Sequence, residues 1–202
     1  MSVNPEKHTD LGRLSDEDLA QALKAGNEAA FDEIVRRYQG RVYAVAYRIT
    51  TNREDALDVT QEALLKVYQK IESWQPTGGF LPWMLRLTSN QAIDHLRRVK
   101  RKRHQELDES ALNEYVLENE ESGEENTAKS VWAKEIAERV DEALVVLSPT
   151  QRAVFVMRHY EGLALNDIAE SLNCTVGSVK VHLFRAMRKL QKALQDMRGG
   201  ES

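Results

Sequence analysis

Apolar residues recur every three or four positions along most of the chain, and this spacing predicts helices rather than strands. Gly and Pro are few, and runs that alternate apolar with polar residues are scarce, which favours the same interpretation. We therefore expect an all-α protein. The predicted helices run from 15 to about 25, 31–49, about 54–71, about 81–103, 132–147, from 148 toward 158, 163–172 and 175–194.

Three of these helices begin with a recognisable cap. Ser15 precedes the acidic residues Asp16, Glu17 and Asp18, and Ser148 precedes a proline that suits the first helical position. Thr175 opens the last helix, where its hydroxyl can accept from a free backbone N–H. These signals fix where the helices start more closely than the apolar spacing alone.

The segment 163–194 combines a short helix, a tight turn and a longer helix. The longer helix has one apolar face, while its cations lie largely off that face. This pattern predicts a helix-turn-helix whose second helix enters the DNA major groove. An ordinary helical hairpin with a solvated basic face is the alternative. The apolar positions are Val176, Val179, Leu183, Ala186, Leu190 and Leu194, and the off-face residues are Lys180, His182, Arg185, Arg188 and Lys189.

The helix from 81 to 103 carries a polar strip and ends in a basic run, 97–104, in which six of eight residues are Lys or Arg. Such a run favours contact with nucleic-acid phosphates, although a solvated tail is the alternative. Trp74, Phe80 and Trp83 precede it, and aromatic side chains beside cations suit the stacking of unpaired bases. We expect Phe80 and Trp83 to pack in the core and Trp74 to be exposed. The strip consists of Arg86, Asn90, Asp94, Arg97 and Arg101.

The helix from 54 to 71 shows an apolar line and a polar patch. The line, made by Leu57, Leu64, Tyr68 and Ile71, is expected to face inward. The patch lies on the first half of the helix, where a solvated face is the simpler explanation of acids near a helix start. Its members are Asp55, Asp58, Gln61 and Glu62.

Charge is distributed unevenly along the 202 residues. The net charge is −4, but nine of the 32 acidic residues lie between 105 and 128, where there is no Lys or Arg. The rest of the chain holds 23 acids against all 28 basic residues, which is compatible with nucleic-acid binding. The acidic segment is predicted to be a flexible linker.

Other features narrow the class of protein. Cys174 is the one cysteine, so no internal disulfide can form; we expect it to act as a small buried hydrophobe. The polar start and the lack of a long apolar run predict a soluble cytoplasmic protein. No metal-ligand spacing, Gly-rich phosphate loop or nucleophile elbow occurs, so neither an enzyme nor a bound cofactor is expected.

Three blocks in this order resemble the bacterial RNA polymerase sigma factors, specifically the extracytoplasmic-function subfamily of the sigma-70 family. The first is 55–62, the second runs from Trp83 to Arg98, and the third covers 147–186 with its helix-turn-helix. The resemblance implies two small helical domains, a promoter-melting bundle and a C-terminal helix-turn-helix, joined by the acidic linker. The expected boundaries are a tail at 1–10, region 2 at 11–104, the linker at 105–128 and region 4 at 129–198.

The resemblance also implies a role for each block. The patch Asp55, Asp58, Gln61 and Glu62 is expected to bind core RNA polymerase. Residues 73–80 are expected to shape a pocket for a base extruded from the minus-10 element, although 75–79 differs from the commoner charged loop of the family. The minus-10 contacts implied are Ser73, Trp74, Asn90, Arg97, Arg98 and Arg101. The minus-35 contacts implied are Gly177, Ser178, Lys180, Val181, His182, Arg185 and Arg188.

The implied function is promoter-specific transcription initiation, for a stress or envelope response, with core polymerase and promoter DNA as partners and an anti-sigma factor as regulator. The acidic linker is expected to mimic nucleic acid inside the polymerase, to repel promoter DNA and to keep the two domains apart; a solubilising tether is the alternative. The rival function is a stand-alone dimeric helix-turn-helix regulator, which would bind a palindromic duplex tightly without polymerase.

Overall fold

The computed structural model describes residues 11–107 and 139–199, and every regular element within these ranges is helical. The expected linker and most of the helix predicted at 132–147 lie outside them. Short 3-10 turns at Ile71–Ser73, Pro76–Gly78 and Leu144–Val146 and a π-helical turn at Val156–Tyr160 connect the longer elements. The helices are α1 (Asp16–Lys24), α2 (Glu28–Thr50), α3 (Arg53–Lys70), α4 (Phe80–Leu107), α5 (Pro149–Phe155), α6 (Leu165–Ser171) and α7 (Val176–Gly199).

The three predicted caps are present. Ser15 accepts from the amide of Asp18, and Ser148 forms a reciprocal capping box with Gln151. Thr175 accepts from the amide of Ser178 at 3.1 Å. Helix α2 is continuous through Gly40, because packing of its apolar face outweighs the low helix propensity of one glycine. Helix bounds otherwise differ from the predicted ones by a few residues.

Helices α1 to α4 pack around a core in the first half of the chain. Leu19, Ile34 and Val67 are fully buried there, and Trp74 meets Phe80 edge to face with ring centroids 5.9 Å apart. The guanidinium of Arg37 ties the segment before α1 to α2 by bonds to the carbonyls of Leu11, Gly12 and Leu14. This core holds α3 and α4 side by side.

The four apolar residues predicted to face inward from α3 do not all face the core. Leu57 and Tyr68 are exposed, and only Ile71 of the line is buried. Small and β-branched side chains form the buried face instead, because α2 and α4 approach closely on that side and leave little room for leucine. These buried residues are Ala56, Val59, Ala63 and Val67.

The second half forms the predicted helix-turn-helix. Val154, Met157, Ile168 and Val179 are fully buried in one cluster, and Cys174, half-buried, packs against it. Asn173, in the turn between α6 and α7, has a φ of 48°, a left-handed conformation that asparagine tolerates. No helix in the described ranges is both long enough and apolar enough to cross a membrane.

The two halves are packed against each other, so the expectation that they stand apart is wrong for the chain alone. One apolar cluster contains residues of both: Val45 and Ile49 from α2 pack with Leu144 and Phe155 from the second half. Arg48 lies over the ring of Tyr160 with its guanidinium carbon 4.1 Å from the centroid. The acids of the linker therefore do not prevent contact between the domains.

A buried arginine joins the halves at the centre of this contact. Arg152, 7% exposed, donates from Nη1 to the carbonyl of Ile49 at 2.7 Å and to Thr51 Oγ1 at 3.0 Å. Its Nε and Nη2 reach the carbonyls of Leu144 and Leu147 in its own half, at 3.0 and 3.1 Å. Burial lowers the pKa of Arg152 to about 10, so the side chain stays charged at neutral pH.

We expect Arg152→Met to lower the free energy of unfolding by about 3 kcal/mol or more, because three buried carbonyls lose a charged donor. The matched control is Arg158→Met, since Arg158 donates to one carbonyl, that of Leu163, and its loss should cost only about 1 kcal/mol. Urea unfolding followed by circular dichroism measures both. Equal midpoints for the two variants would contradict the role assigned to Arg152.

Candidate nucleic-acid interface

Helix α7 presents a basic face that is exposed in the described chain. Its N-terminal turn includes Gly177, which is exposed and has no side chain to cover the backbone. The exposed cations are interrupted by exposed apolar side chains, and Arg188 lies 5.9 Å from the ring centroid of Phe184. We call this set the recognition face: Gly177, Lys180, Val181, Phe184, Arg185 and Arg188.

The structure changes two assignments on α7. His182 is only half-exposed, and its Nδ1 is buried with no hydrogen-bond partner among the described residues, so the ring is directed away from the recognition face. Phe184 is 63% exposed and belongs to the face, although it was not among the predicted contacts. The signal that could have identified it is its position one residue after the half-buried Leu183, off the apolar face that contains the buried Val179.

A groove of about 1030 Å³ lies where α3 and α4 meet. Its lining includes five cations and two carboxylates, so it is positive overall. A positive groove along one helix is suited to the phosphates of a single strand of nucleic acid. The lining residues are Glu62, Lys66, Gln91, Asp94, Arg97, Arg98, Lys100 and Arg101.

The polar patch predicted on α3 is divided between two environments. Asp58 and Gln61 are exposed, and the exposed Leu57 and Leu65 lie on the same side of the helix. Asp55 instead contacts Nε2 of His95 at 2.7 Å, so it faces α4 rather than solvent.

Glu62 likewise faces α4. It pairs with Arg98 at 2.9 Å and accepts a hydrogen bond from the buried Gln91, which in turn accepts from Lys66. Arg98 is therefore held over the groove by a residue of the neighbouring helix. Of the four predicted polymerase contacts, Asp58 and Gln61 are accessible, whereas Asp55 and Glu62 are engaged within the domain.

The predicted minus-10 residues are not equally accessible. Arg97, Arg98 and Arg101 are exposed along the outer half of α4, and Ser73 is exposed while donating to the carbonyl of Lys70. Asn90 is half-buried, and its Oδ1 accepts a hydrogen bond from Ser171 of α6 at 3.0 Å. The structure thus brings the basic part of the strip to the surface and places its inner part, half-buried, against the second half of the chain.

The expected exposure of Trp74 is wrong. Trp74 is 1% exposed and packs against Phe80, because the two 3-10 turns fold the loop back onto the start of α4. Its Nε1 has no hydrogen-bond partner among the described residues. Phe80 is fully buried, and Trp83, half-buried, packs against the same core, as expected for both. Trp74 in this conformation is a core residue and offers no free ring to a base.

A helix-turn-helix with a basic recognition face, together with a second basic groove on a separate helical bundle, defines a DNA-binding protein with two sites. The family descriptions Sigma-70 region 2 and Sigma-70, region 4 match residues 34–102 and 134–190. A relative from Mycolicibacterium smegmatis, ECF RNA polymerase sigma factor SigE, is 31% identical over 89% of this chain and 69% of its own. The chain belongs to the extracytoplasmic-function sigma factors of the sigma-70 family.

Further comparisons agree with this membership. The RNA polymerase sigma-H factor of Pseudomonas aeruginosa is 29% identical over 93% of this chain and 97% of its own. Among solved structures, the sigma factor RpoE of Bartonella quintana, crystallised with the anti-sigma factor NepR, matches 82% of this chain and 96% of its own with a TM-score of 0.61 and 21% identity. At 21% identity, the similarity to the B. quintana structure shows a shared fold.

We expect Trp74→Ala to lower the free energy of unfolding by about 3 to 5 kcal/mol, since it removes a large side chain from a closed core. Trp83→Ala, at a half-buried position, is the matched control and should cost clearly less. Urea unfolding of both variants gives the comparison. A Trp74→Ala variant that unfolds at the wild-type midpoint would show that the ring is not packed in the core.

Proposed function

We propose that the chain binds core RNA polymerase through the exposed side of α3, opens promoter DNA along α4 and reads the minus-35 element with the recognition face of α7. The observation that carries this proposal is that these three faces are separate, each lies on a different helix, and their chemistry differs. One face is acidic with exposed leucines, and the other two are basic.

The α3 face is suited to a protein partner. Asp58 and Gln61 lie beside Leu57 and Leu65, which are 47% and 54% exposed. Exposed apolar side chains bordered by acidic and amide groups are typical of a docking surface for a basic partner helix. Asp55 and Glu62 contribute to the same function indirectly in this proposal, by fixing α3 against α4.

The α4 groove is suited to the minus-10 strand. Arg97, Arg98 and Arg101 neutralise phosphates, while Asn90 reaches a base or sugar once it is uncovered. Extrusion of a base costs a few kcal/mol, which backbone contacts along a positive groove can offset. The loop from Ser73 to Phe80 lies at the start of α4. Trp74 supports the loop from inside the domain.

The recognition face is suited to the major groove of the minus-35 duplex. Lys180 and Arg188 contact phosphates, the amides at Gly177 and Ser178 approach the backbone at the helix start, and Arg185 is placed to read a guanine by two hydrogen bonds. Val181 and Phe184 lie between these cations and supply apolar contact to base edges.

The setting proposed is a stress or envelope response in the cytoplasm, with an anti-sigma factor as the regulator and no catalytic step by this chain itself. The B. quintana structure supports the regulator, because a sigma factor of the same fold was crystallised with an anti-sigma factor. A stand-alone dimeric regulator is not favoured, since it leaves the α4 groove and the exposed α3 face without a role.

The function is tested by run-off transcription from genomic fragments with purified core polymerase. The chain alone should bind promoter duplex weakly, and transcripts should appear only when chain and core polymerase are both present. An absence of core-dependent transcripts, with a folded chain, would refute the proposed function.

We expect Asp58→Ala combined with Leu65→Ser to weaken binding to core polymerase about tenfold or more, or about 1.4 kcal/mol, because both side chains are exposed and neither packs in the core. Gln21→Ala, an exposed change on α1, is the control and should bind as the wild type does. Fluorescence anisotropy of labelled chain against core polymerase measures both. Unchanged affinity of the double variant would place the docking surface elsewhere.

We expect Arg185→Ala to weaken binding of the holoenzyme to minus-35 duplex by about 1 to 3 kcal/mol and to relax the preference for one base pair. Lys192→Ala, an exposed cation of α7 outside the recognition face, should change affinity only slightly. Competition with duplexes substituted at single positions separates the two effects. An equal loss on every duplex would show that Arg185 contacts phosphate rather than a base.

A further inference from the structure

Helix α1 contacts both ends of the 73–80 loop, the segment that connects α3 to α4. Leu19 of α1 lies in the same buried cluster as Trp74 and Phe80, the large side chains near the two ends of the loop. Residues 75–78, between these two anchors, are exposed. The loop is therefore fastened to the core near both ends and reaches solvent in the middle.

A lysine of α1 holds the first end of the loop. Nζ of Lys24 donates to the carbonyl oxygens of Glu72 at 3.0 Å and of Trp74 at 3.2 Å. These carbonyls follow the end of α3, where backbone acceptors lack partners within the helix and the helix dipole favours a cation. Ser73, between them, donates to the carbonyl of Lys70 at 2.7 Å. One ammonium group therefore fixes the backbone on both sides of Ser73.

A glutamate of α1 contacts the other end of the loop. Oε1 of Glu17 accepts from the amide of Phe80 at 3.4 Å. Phe80 is the first residue of α4, and amides in a first turn have no acceptor within the helix, so a carboxylate is favoured there. Gly79 has a φ of 71°, and a Cβ on it would lie 3.3 Å from Cδ of Pro82 and 3.8 Å from Oε1 of Glu17. Glycine therefore allows the loop to enter α4 close to both residues.

The two contacts come from one face of one rigid helix. Glu17 and Lys24 are seven positions apart, which is two turns, or about 10 Å along the helix axis. The nine residues 72–80 can span about 30 Å when extended. Helix α1 therefore limits the separation of the loop ends to much less than the chain between them allows.

The exposed part of the loop offers neutral hydrogen-bonding groups. Gln75 and Thr77 are exposed, and residues 73–80 include no charged side chain. An amide and a hydroxyl can bond to the edge of a base, but they cannot neutralise a phosphate, so they suit discrimination between bases rather than overall affinity. Such discrimination requires a fixed backbone, because a loop that rearranges freely accommodates several bases.

We propose that Glu17 and Lys24 are positioning residues for base recognition in the minus-10 element. By holding both ends of the 73–80 loop, they fix Gln75 and Thr77 in the geometry that favours one base. The inference rests on the proposed opening of promoter DNA along α4, with an extruded base received at this loop. Loss of either contact leaves the phosphate contacts and the polymerase-facing side of α3 in place and widens the range of bases accepted.

The test measures base preference with the full chain and core polymerase. The template is a promoter recovered by run-off transcription from genomic fragments, remade with each of the four bases at every minus-10 position. Templates compete in one reaction and are distinguished by transcript length. Gln75→Ala combined with Thr77→Ala identifies the position that the loop reads, because the wild-type preference declines there. A ratio of rates on competing templates is independent of the folded fraction, so it separates positioning from a general loss of stability.

We expect Lys24→Met and Glu17→Ala each to lower the preference at that position about fivefold and to leave the other minus-10 positions unchanged. Lys24→Arg should restore most of the preference, because a guanidinium can also donate to two carbonyls. Arg13→Met, which removes an exposed cation from the same half of the chain, is the control for net charge and should behave as the wild type does. Lys24→Met should have no further effect in the Gln75→Ala/Thr77→Ala background.

The positioning role is overturned by any of three results. The first is an unchanged base preference in Lys24→Met and Glu17→Ala chains that are folded by circular dichroism. The second is an equal loss of transcription on every template, which would mean that Lys24 acts through charge or stability. The third is an unchanged preference in the Gln75→Ala/Thr77→Ala chain, since the loop would then read no base. If the wild-type chain gives no core-dependent transcripts, the proposed function itself fails, and the positioning role with it.

Discussion

The guanidinium of Arg152 links the two halves of this protein through the peptide backbone. All the acceptors that it contacts in the described ranges are neutral oxygens, two of them at the end of α2 and two in the turn before α5. Thr51, which supplies one of these oxygens, has a φ of 57° and ends α2 in a left-handed conformation. A buried charge that is satisfied by carbonyls from both sides requires both sides to be in place. The register between the halves is therefore set by backbone geometry as well as by apolar packing.

This packing leaves two surfaces with different accessibility, the recognition face of α7 and the inner part of the strip on α4. The recognition face of α7 remains free, because the apolar side of α7 is the one that packs against the rest of the domain. The inner part of α4 is covered, because α6, the shorter helix of the pair, lies on it with its last turn. Packing through α6 leaves the recognition face of α7 exposed and brings Ser171 against Asn90.

The coupling between α3 and α4 is a second consequence of close packing. Small residues on the buried side of α3 bring its backbone near α4, so that Asp55 reaches His95 and Glu62 reaches Arg98. The acidic patch therefore has an outer part, at Asp58 and Gln61, and an inner part that positions the basic helix. A partner bound to the outer part would lie one helix away from the positive groove that we propose as the site for the opened strand.

The sequence by itself determined the helical class, the caps at Ser15, Ser148 and Thr175, the helix-turn-helix and the family, because these depend on periodicity and local hydrogen bonding within a few residues. The core positions of Phe80 and Trp83 were also predictable from the sequence. Trp74, Leu57 and His182 were not, since their environment depends on which neighbouring helix approaches and how closely. Only the tertiary structure decided that Asn90 lies under Ser171 and that Arg152 reaches Ile49, because these contacts join residues 81 and 103 positions apart, and no local pattern encodes the docking of one domain on another.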